Sequence, residues 1–162
     1  MKRILFFLTL CLVFASCEKK NEEPSGTDQQ PKTSEYRVAG TMTIQVGQNP
    51  FAAQDTMVVT VDEKQQVLSV AMLQVKFSEK MPVGLDVFAE EMPYKKNGNL
   101  LLVEQDTVVL RWGPEHAPYL DCPLANFRDT LDVTNKQMRF NCTFAHKKMG
   151  DMPARFEGAF IQ

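Results

Sequence analysis

Period-two alternation of apolar and polar side chains limits the fold of this chain more than any other feature of its sequence. From Tyr36 to Val46, and again from Met57 to Val61, apolar residues recur at every second position with polar residues between them. Such alternation is typical of β-strands that have one dry face and one wet face. Gly40 falls on the apolar side of the first strand, where it predicts a bend or a close approach between strands.

The same pattern recurs further along the chain, interrupted by residues that favour turns. Asp62–Gln65, Asn97-Gly98 and Thr134–Gln137 predict hairpin turns. Val67–Phe77 changes the phase of its apolar residues partway, which predicts a β-bulge. We expect nine strands and no helix, which indicates a sandwich or a small antiparallel barrel. The strands are expected at 36–46, 57–61, 67–77, 85–90, 100–103, 108–112, 127–133, 138–144 and 154–161, with the main loops at 47–54 and 113–126.

The N-terminus has the organisation of a secretory signal peptide. A basic start at Lys2 and Arg3 is followed by a short apolar run, then by small residues and an abrupt change to polar sequence. The segment Phe14-Ala15-Ser16-Cys17 resembles a lipobox, the processing site of bacterial lipoproteins. The resemblance implies cleavage after residue 16 and lipidation of Cys17, whose acyl chains would anchor the chain to a membrane.

Three segments are therefore predicted: a signal peptide at 1–16, a lipidated cysteine with a flexible tether at 17–34, and a folded domain at 35–162. The tether is rich in Glu, Lys, Gln, Pro and Ser, and such a composition buries too little apolar surface to become ordered. The whole chain has 18 basic and 20 acidic residues, and the chain without the signal peptide has a net charge of −4. No basic stripe is present, which argues against a nucleic-acid partner.

Several short motifs resemble those of the calycin-like β-barrel lipoproteins of Gram-negative gut anaerobes. They are the lipobox, the polar tether, and the segments at 36–41, 81–87 and 156–158. The resemblance implies a small lipocalin-like barrel of eight or nine strands, although the Gly-x-Trp opening of lipocalins is absent. Because Glu18 rather than Asp follows Cys17, the similarity to sorted lipoproteins implies the outer membrane, on its periplasmic or its cell-surface face.

Two cysteines remain in the predicted domain, Cys122 and Cys142. In an oxidising compartment they could form a disulfide, or they could be two small buried side chains. Together with His116 and His146 they could in principle bind zinc, but the spacing is loose and no metal site is predicted. Met149 and Met152 could hold Cu(I), although methionine more often fills apolar interiors.

The sequence contains no recognisable catalytic motif. The few serines lie outside any Gly-x-Ser-x-Gly elbow, and no phosphate-binding glycine loop is present. No cofactor is expected, and Glu90 and Glu91 are expected to be solvated at a strand end. Three Asp-Thr-apolar segments resemble an O-glycosylation acceptor of the same bacteria, which would place glycans on Thr56, Thr107 and Thr130.

We therefore expect a non-enzymatic lipoprotein of the outer membrane, attached through Cys17. One version binds a small apolar ligand inside the barrel, and another has a filled barrel and contacts an envelope partner through its loops. The rival hypothesis is a hydrolase whose site has no recognisable motif.

Overall fold

The computed structural model describes residues 32–161, which form ten β-strands and no helix. Because β1 begins at Thr33, the folded domain includes two residues of the predicted tether. The predicted signal peptide and Cys17 lie outside the described residues. The strands are β1 (Thr33–Val46), β2 (Asn49–Asp62), β3 (Val67–Val75), β4 (Leu85–Asn97), β5 (Leu100–Val108), β6 (Arg111–Trp112), β7 (Ala117–Pro118), β8 (Leu124–Asp132), β9 (Gln137–His146) and β10 (Gly150–Ile161).

Eight of these strands close into an antiparallel barrel, which confirms the predicted fold class. The order around the barrel is β1, β2, β3, β4, β5, β8, β9 and β10, and β10 pairs with β1 from Arg37↔Ile161 to Ile44↔Ala154. The remaining two strands form a short hairpin, and its strand β6 pairs with β4 at Val87 and Phe88, near the start of β4. No helix among the described residues is long and apolar enough to cross a membrane.

The two ends of the barrel differ in their connections. Three two- to four-residue turns and the start of β1 lie at one end, which we call the tether end. The other end, the loop end, carries the connections β1–β2, β3–β4, β5–β8 and β9–β10. The hairpin of β6 and β7 belongs to the β5–β8 connection, so it is held near the loop end.

Apolar side chains from all eight barrel strands fill the interior. The largest that are fully buried include four phenylalanines, Phe127, Phe140, Phe144 and Phe156, together with Met42, Met57 and Met72. Phe140 stacks on Phe156 with ring centroids 5.4 Å apart. Because these side chains have no accessible surface, no void large enough for a water molecule adjoins them.

The predicted bulge in Val67–Phe77 is confirmed. Buried residues occupy positions 68, 70 and 72 of β3 and then positions 75 and 77, and the register against β4 shifts between Met72 and Val75. The extra residue is Gln74, which has a left-handed φ of 58°. Glu91 in β4 and Asn126 in β8 have similar φ values at two further register shifts. Each bulge adds one residue to a strand, so that the positions facing the interior change from one set of alternate residues to the other while the strand continues around the barrel.

The predicted close approach at Gly40 is also confirmed. Gly40 of β1 faces Gly158 of β10, and a Cβ on Gly40 would lie 2.1 Å from the carbonyl oxygen of Glu157. The three predicted hairpin turns are present as well. Asp62 and Asp132 start two of them by accepting hydrogen bonds from backbone N–H groups, and Gly98 in the third has a φ of 58°.

Several predicted boundaries are wrong. β3 ends at Val75 rather than at 77, β4 continues to Asn97 rather than ending at 90, and the predicted loop 113–126 contains β7 and the start of β8. The segment 47–54 is not a loop, because β2 starts at Asn49 and only Gly47 and Gln48 form the turn. This hairpin extends beyond the core and exposes much of both faces, so it lacks the apolar alternation of a half-buried strand. The predicted strands 100–103 and 108–112 are instead one strand ending at Val108, followed by the two-residue β6.

Candidate functional site

The hairpin of β6 and β7 builds the most distinctive surface of the barrel. Val87 pairs with Trp112 and Phe88 pairs with Arg111, so β6 lies beside β4 near the loop end, where β5 no longer pairs with β4. The turn between β6 and β7 contains Gly113, with a φ of 70°, and closes with a hydrogen bond from the backbone N–H of His116 to the carbonyl oxygen of Gly113 (3.2 Å). This geometry holds the side chains of the hairpin over the outer face of β4.

Four side chains meet there. The imidazole of His116 stacks on Phe88 with centroids 3.9 Å apart, and its Nδ1 is hydrogen-bonded to the carboxylate of Glu90. The guanidinium of Arg111 forms an ion pair with the same carboxylate at 2.9 Å and donates to the carbonyl oxygen of His116 at 3.1 Å. Glu90 therefore links β4 to both ends of the hairpin, and the solvated strand end expected for it is wrong.

Two cavities adjoin along this outer face, and together we call them the β4 cleft. The first has a volume of about 290 Å³ and the second about 430 Å³, and Phe88 lines both. The first is lined by Gln74, Gly84, Leu85, Asp86, Phe88, Trp112, Gly113 and Pro114. The second is lined by Val58, Thr60, Ser69, Val70, Ala71, Phe88, Glu90, Glu91 and His116.

Three of the six non-glycine residues with a positive φ in the described part of the chain lie around this cleft. Gln74, Glu91 and His116 all have left-handed φ values, between 51° and 58°. Asp86 fixes the position of Gln74. The Oδ1 atom of Asp86 accepts one hydrogen bond from the backbone N–H of Gln74 at 2.8 Å and another from the Gln74 side-chain amide at 2.9 Å. Non-glycine residues in this conformation cluster at functional sites in proteins generally.

A third cavity, of about 280 Å³, opens where β4 and β5 separate. These strands pair only from Tyr94↔Val103 to Asn97↔Leu100, and nearer the loop end β4 pairs with β6 instead. The cavity lies in the gap and includes Gln105 and Thr107 of β5.

The loop end presents several apolar side chains to solvent. Val83 and Leu120 are each 65 % exposed, and Val109, Trp112 and Met149 are about half exposed. All five lie in or beside connections at this end, whereas Ile161 is the exposed large apolar residue at the tether end. Tyr119 lies against Trp112, with ring centroids 5.5 Å apart, and its hydroxyl is 3.4 Å from Nε2 of His146.

Two carboxyl groups are buried in the barrel wall. Asp129 of β8 is 3 % exposed, and neither of its carboxylate oxygens has a hydrogen-bond partner among the described residues. Burial raises the pKa of Asp129 to about 8. Asp55 of β2 is buried to a lesser degree, and burial raises its pKa to about 6. Neither group forms an ion pair within residues 32–161, and at neutral pH the neutral form is therefore favoured for Asp129 but not for Asp55.

The cysteines and histidines of the conceivable zinc site do not form a metal-binding group among the described residues. Cys122 and Cys142 are buried and free in the structure, and their pairing in an oxidising compartment stays a prediction. Burial raises the pKa of Cys122 to about 11 and raises that of Cys142 further. His116 bonds to Glu90 on the outer face, and His146 accepts hydrogen bonds from two backbone N–H groups. Among residues 32–161 no three metal-binding side chains of the His, Cys, Asp and Glu types come together.

The two methionines considered for Cu(I) are also separated, because Met152 is buried in the core and Met149 is half exposed in the β9–β10 turn.

The three threonines predicted as glycosylation sites lie in strands. Thr107 is exposed, whereas Thr56 and Thr130 are half-buried on the outer faces of β2 and β8. Two of the preceding aspartates, Asp55 and Asp129, are the buried carboxyls, because alternation turns the aspartate inward when the threonine faces outward. Modification of these threonines stays a prediction.

Sequence reasoning missed the β4 cleft. The sequence placed His116 in a loop and Glu90 at a strand end. The two residues are 26 positions apart, and no repeating pattern in the sequence indicates that they are in contact. The remaining signals were Gly113 followed by Pro114, which favours a turn, and the lone Trp112. Of the two loops proposed for contacts, 113–126 contributes to the cleft through its first residues, while 47–54 belongs to the β1–β2 hairpin.

Comparison of the chain with protein-family models finds no match, and comparison with curated proteins finds none either.

Proposed function

We propose that this chain is an outer-membrane lipoprotein, tethered through Cys17 and related to the calycin-like barrel lipoproteins, which binds a ligand or an envelope partner without catalysis. The barrel acts as a rigid scaffold, and binding takes place on its outside. The observation that carries this proposal is the contrast between a filled interior and the β4 cleft. Most inward side chains have almost no accessible surface, while the cleft offers cavities of about 290 and 430 Å³ beside an exposed tryptophan.

The placement of the termini supports an outward-facing binding surface. The tether enters the barrel at Thr33, at the end opposite to the exposed apolar residues of the loop end. If the chain is anchored through Cys17, the loop end lies on the far side of the barrel from the point where the tether joins it. The β4 cleft, which begins near that end, would then be accessible to molecules in the surrounding compartment.

The anchor is tested by expressing the full chain in a Gram-negative host and comparing it with Cys17→Ser. We expect the full chain to fractionate with outer membranes and to carry acyl mass on its first mature residue, and we expect the variant to be free of that mass. A full chain without acyl mass would contradict the anchoring part of the proposal.

The binding part is tested on the mature barrel with an envelope extract and an apolar dye. Ligand or partner binding that is reduced by Phe88→Asp, but not by Val83→Asp at the loop end, would support the cleft. Stoichiometric dye binding that survives Phe88→Asp would instead indicate an internal site and refute the proposal.

A hydrolase is the second candidate, and the Glu90–His116 pair is the observation that favours it. An imidazole oriented by a carboxylate is one part of a general-base arrangement, and Ser69 lines the same cavity. The described hydrogen bond of the Ser69 hydroxyl, however, is with the backbone N–H of Glu91 at 2.9 Å. A screen with ester, amide and glycoside substrates, repeated with His116→Ala and His146→Ala, decides the matter, since turnover lost only in His116→Ala would favour the hydrolase.

A further inference from the structure

The end of the β4 cleft nearest the β6–β7 hairpin has an aromatic wall. Trp112 is 45 % exposed and lines the 290 Å³ cavity together with Phe88. Tyr119 packs beside the indole at an interplanar angle of 34°, which limits the orientations that the ring can take. The backbone pairing of Trp112 with Val87 fixes the position of this residue on the sheet. A ligand entering this cavity therefore meets a preformed aromatic surface.

Asp86 places a negative charge in the same cavity. Its Oδ1 accepts both hydrogen bonds from Gln74, and it forms no ion pair with any residue that the structure describes. Glu90, on the same strand, differs because it forms an ion pair with Arg111 and a hydrogen bond with His116. The first cavity thus combines an exposed indole with an uncompensated carboxylate, while the charge in the second cavity is partly balanced.

We propose that this end of the cleft binds an organic ammonium ion. The face of an indole attracts a cation through its quadrupole, and tryptophan is the strongest of the aromatic side chains in this respect. The carboxylate of Asp86 adds a direct charge–charge attraction in a half-buried setting. A neutral saccharide could stack on the same ring, but it would gain nothing from the net charge of Asp86. The inference rests on the proposed binding function, because it names the ligand class of that cleft.

The ammonium group could belong to a soluble amine or to a lipid headgroup, and the experiment separates these sources. The mature chain with Cys17→Ser is titrated with choline and with 3,3-dimethylbutan-1-ol, its uncharged carbon isostere. Trp112 is the only tryptophan of the chain, so its fluorescence reports directly on this cavity. We expect choline to change the emission and to bind about tenfold more tightly than the isostere. Flotation with phosphatidylcholine and phosphatidylglycerol vesicles then shows whether the headgroup is recognised within a bilayer.

A charge-only substitution gives the decisive variant. Asp86→Asn keeps an oxygen that can accept both hydrogen bonds from Gln74, so the bulge is retained while the negative charge is removed. We expect its affinity for choline to fall about tenfold with an unchanged thermal midpoint. Glu63→Gln, in the β2–β3 turn at the tether end, removes the same charge far from the cleft and should leave choline affinity unchanged.

The outcomes separate the two proposals. Equal binding of choline and its isostere, or an Asp86→Asn variant with unaltered affinity, overturns the ammonium site. Maltose that changes Trp112 emission, in the absence of a choline effect, overturns the ammonium site and leaves the binding function of the cleft standing. Binding of an apolar dye that survives Phe88→Asp overturns the proposed function itself.

Discussion

Replacing Asp129 by asparagine is expected to remove the steepest part of the pH dependence of folding. Asp129 lies on β8 between Val103 of β5 and Phe140 of β9, and its carboxylate oxygens have no partners among the described residues. An ionised carboxylate in such a position has lost its contact with water, and the neighbouring backbone N–H of Thr130 offsets only a small part of that cost. Asparagine has nearly the same shape and leaves a buried polar group, but it does not titrate.

The direction of the pH dependence follows from the pKa values of Asp129 in the unfolded and folded states. The carboxyl ionises near its ordinary pKa of 3.8 when the chain is unfolded, and burial raises its pKa to about 8 in the folded protein. Between these values the folded state binds more protons than the unfolded state, so stability is full below about pH 4 and falls as the pH rises toward 8. One pKa unit corresponds to about 1.4 kcal/mol and pH 7 lies about 3 units above 3.8, so the loss at pH 7 is about 4 kcal/mol.

The assay is urea unfolding of the mature chain at several pH values from about 4 to 8.5, followed by far-ultraviolet circular dichroism. The free energy of unfolding of Asp129→Asn, minus that of the wild type, should rise by about 5 kcal/mol across this range. Asp151→Asn, which removes an exposed carboxyl, serves as the control and should run parallel to the wild type. If Asp129→Asn also runs parallel to the wild type, the argument from burial is refuted.

Other substitutions test the packing of the barrel. Gly40→Ala should destabilise the fold by about 1–3 kcal/mol in urea unfolding, because the added methyl group would lie 2.1 Å from the carbonyl oxygen of Glu157; an unaltered midpoint would contradict the tight seam. Phe140→Ala should cost about 3–5 kcal/mol in the same measurement, and a loss below 1 kcal/mol would indicate a loosely packed interior. Cys122 and Cys142 should react with iodoacetamide only after unfolding, as followed by mass spectrometry, since both are buried with raised pKa values; rapid labelling of the native protein would disagree with the structure.

The barrel could be predicted because its inward faces carry a strong, local signal. Even the bulge at Gln74 was visible, since the apolar residues of β3 change phase around it. The exposed ends of strands carried no such signal, which is why the start of β2 and the polar half of β5 were missed. A strand with both faces exposed to solvent does not alternate between apolar and polar residues, so its sequence lacks the pattern that identifies a strand.

The candidate site could not be predicted for a different reason. The strands β6 and β7 have two residues each, so neither has enough positions to show a period. The contact between Glu90 and His116 depends on where that hairpin meets β4, and this is decided by the closure of the barrel rather than by neighbouring residues. In the same way, nothing in the sequence near Asp129 revealed that its carboxyl would be buried without a partner among the described residues.

The pairing of β1 with β10 has a consequence for how such a chain matures. β1 gains one of its two barrel neighbours only when β10, more than 100 residues later in the chain, is available, so the cylinder stays open until then. Until the barrel closes, the edge strand has unpaired backbone N–H and C=O groups. The docking of β10 between β9 and β1 is therefore the step that closes the barrel.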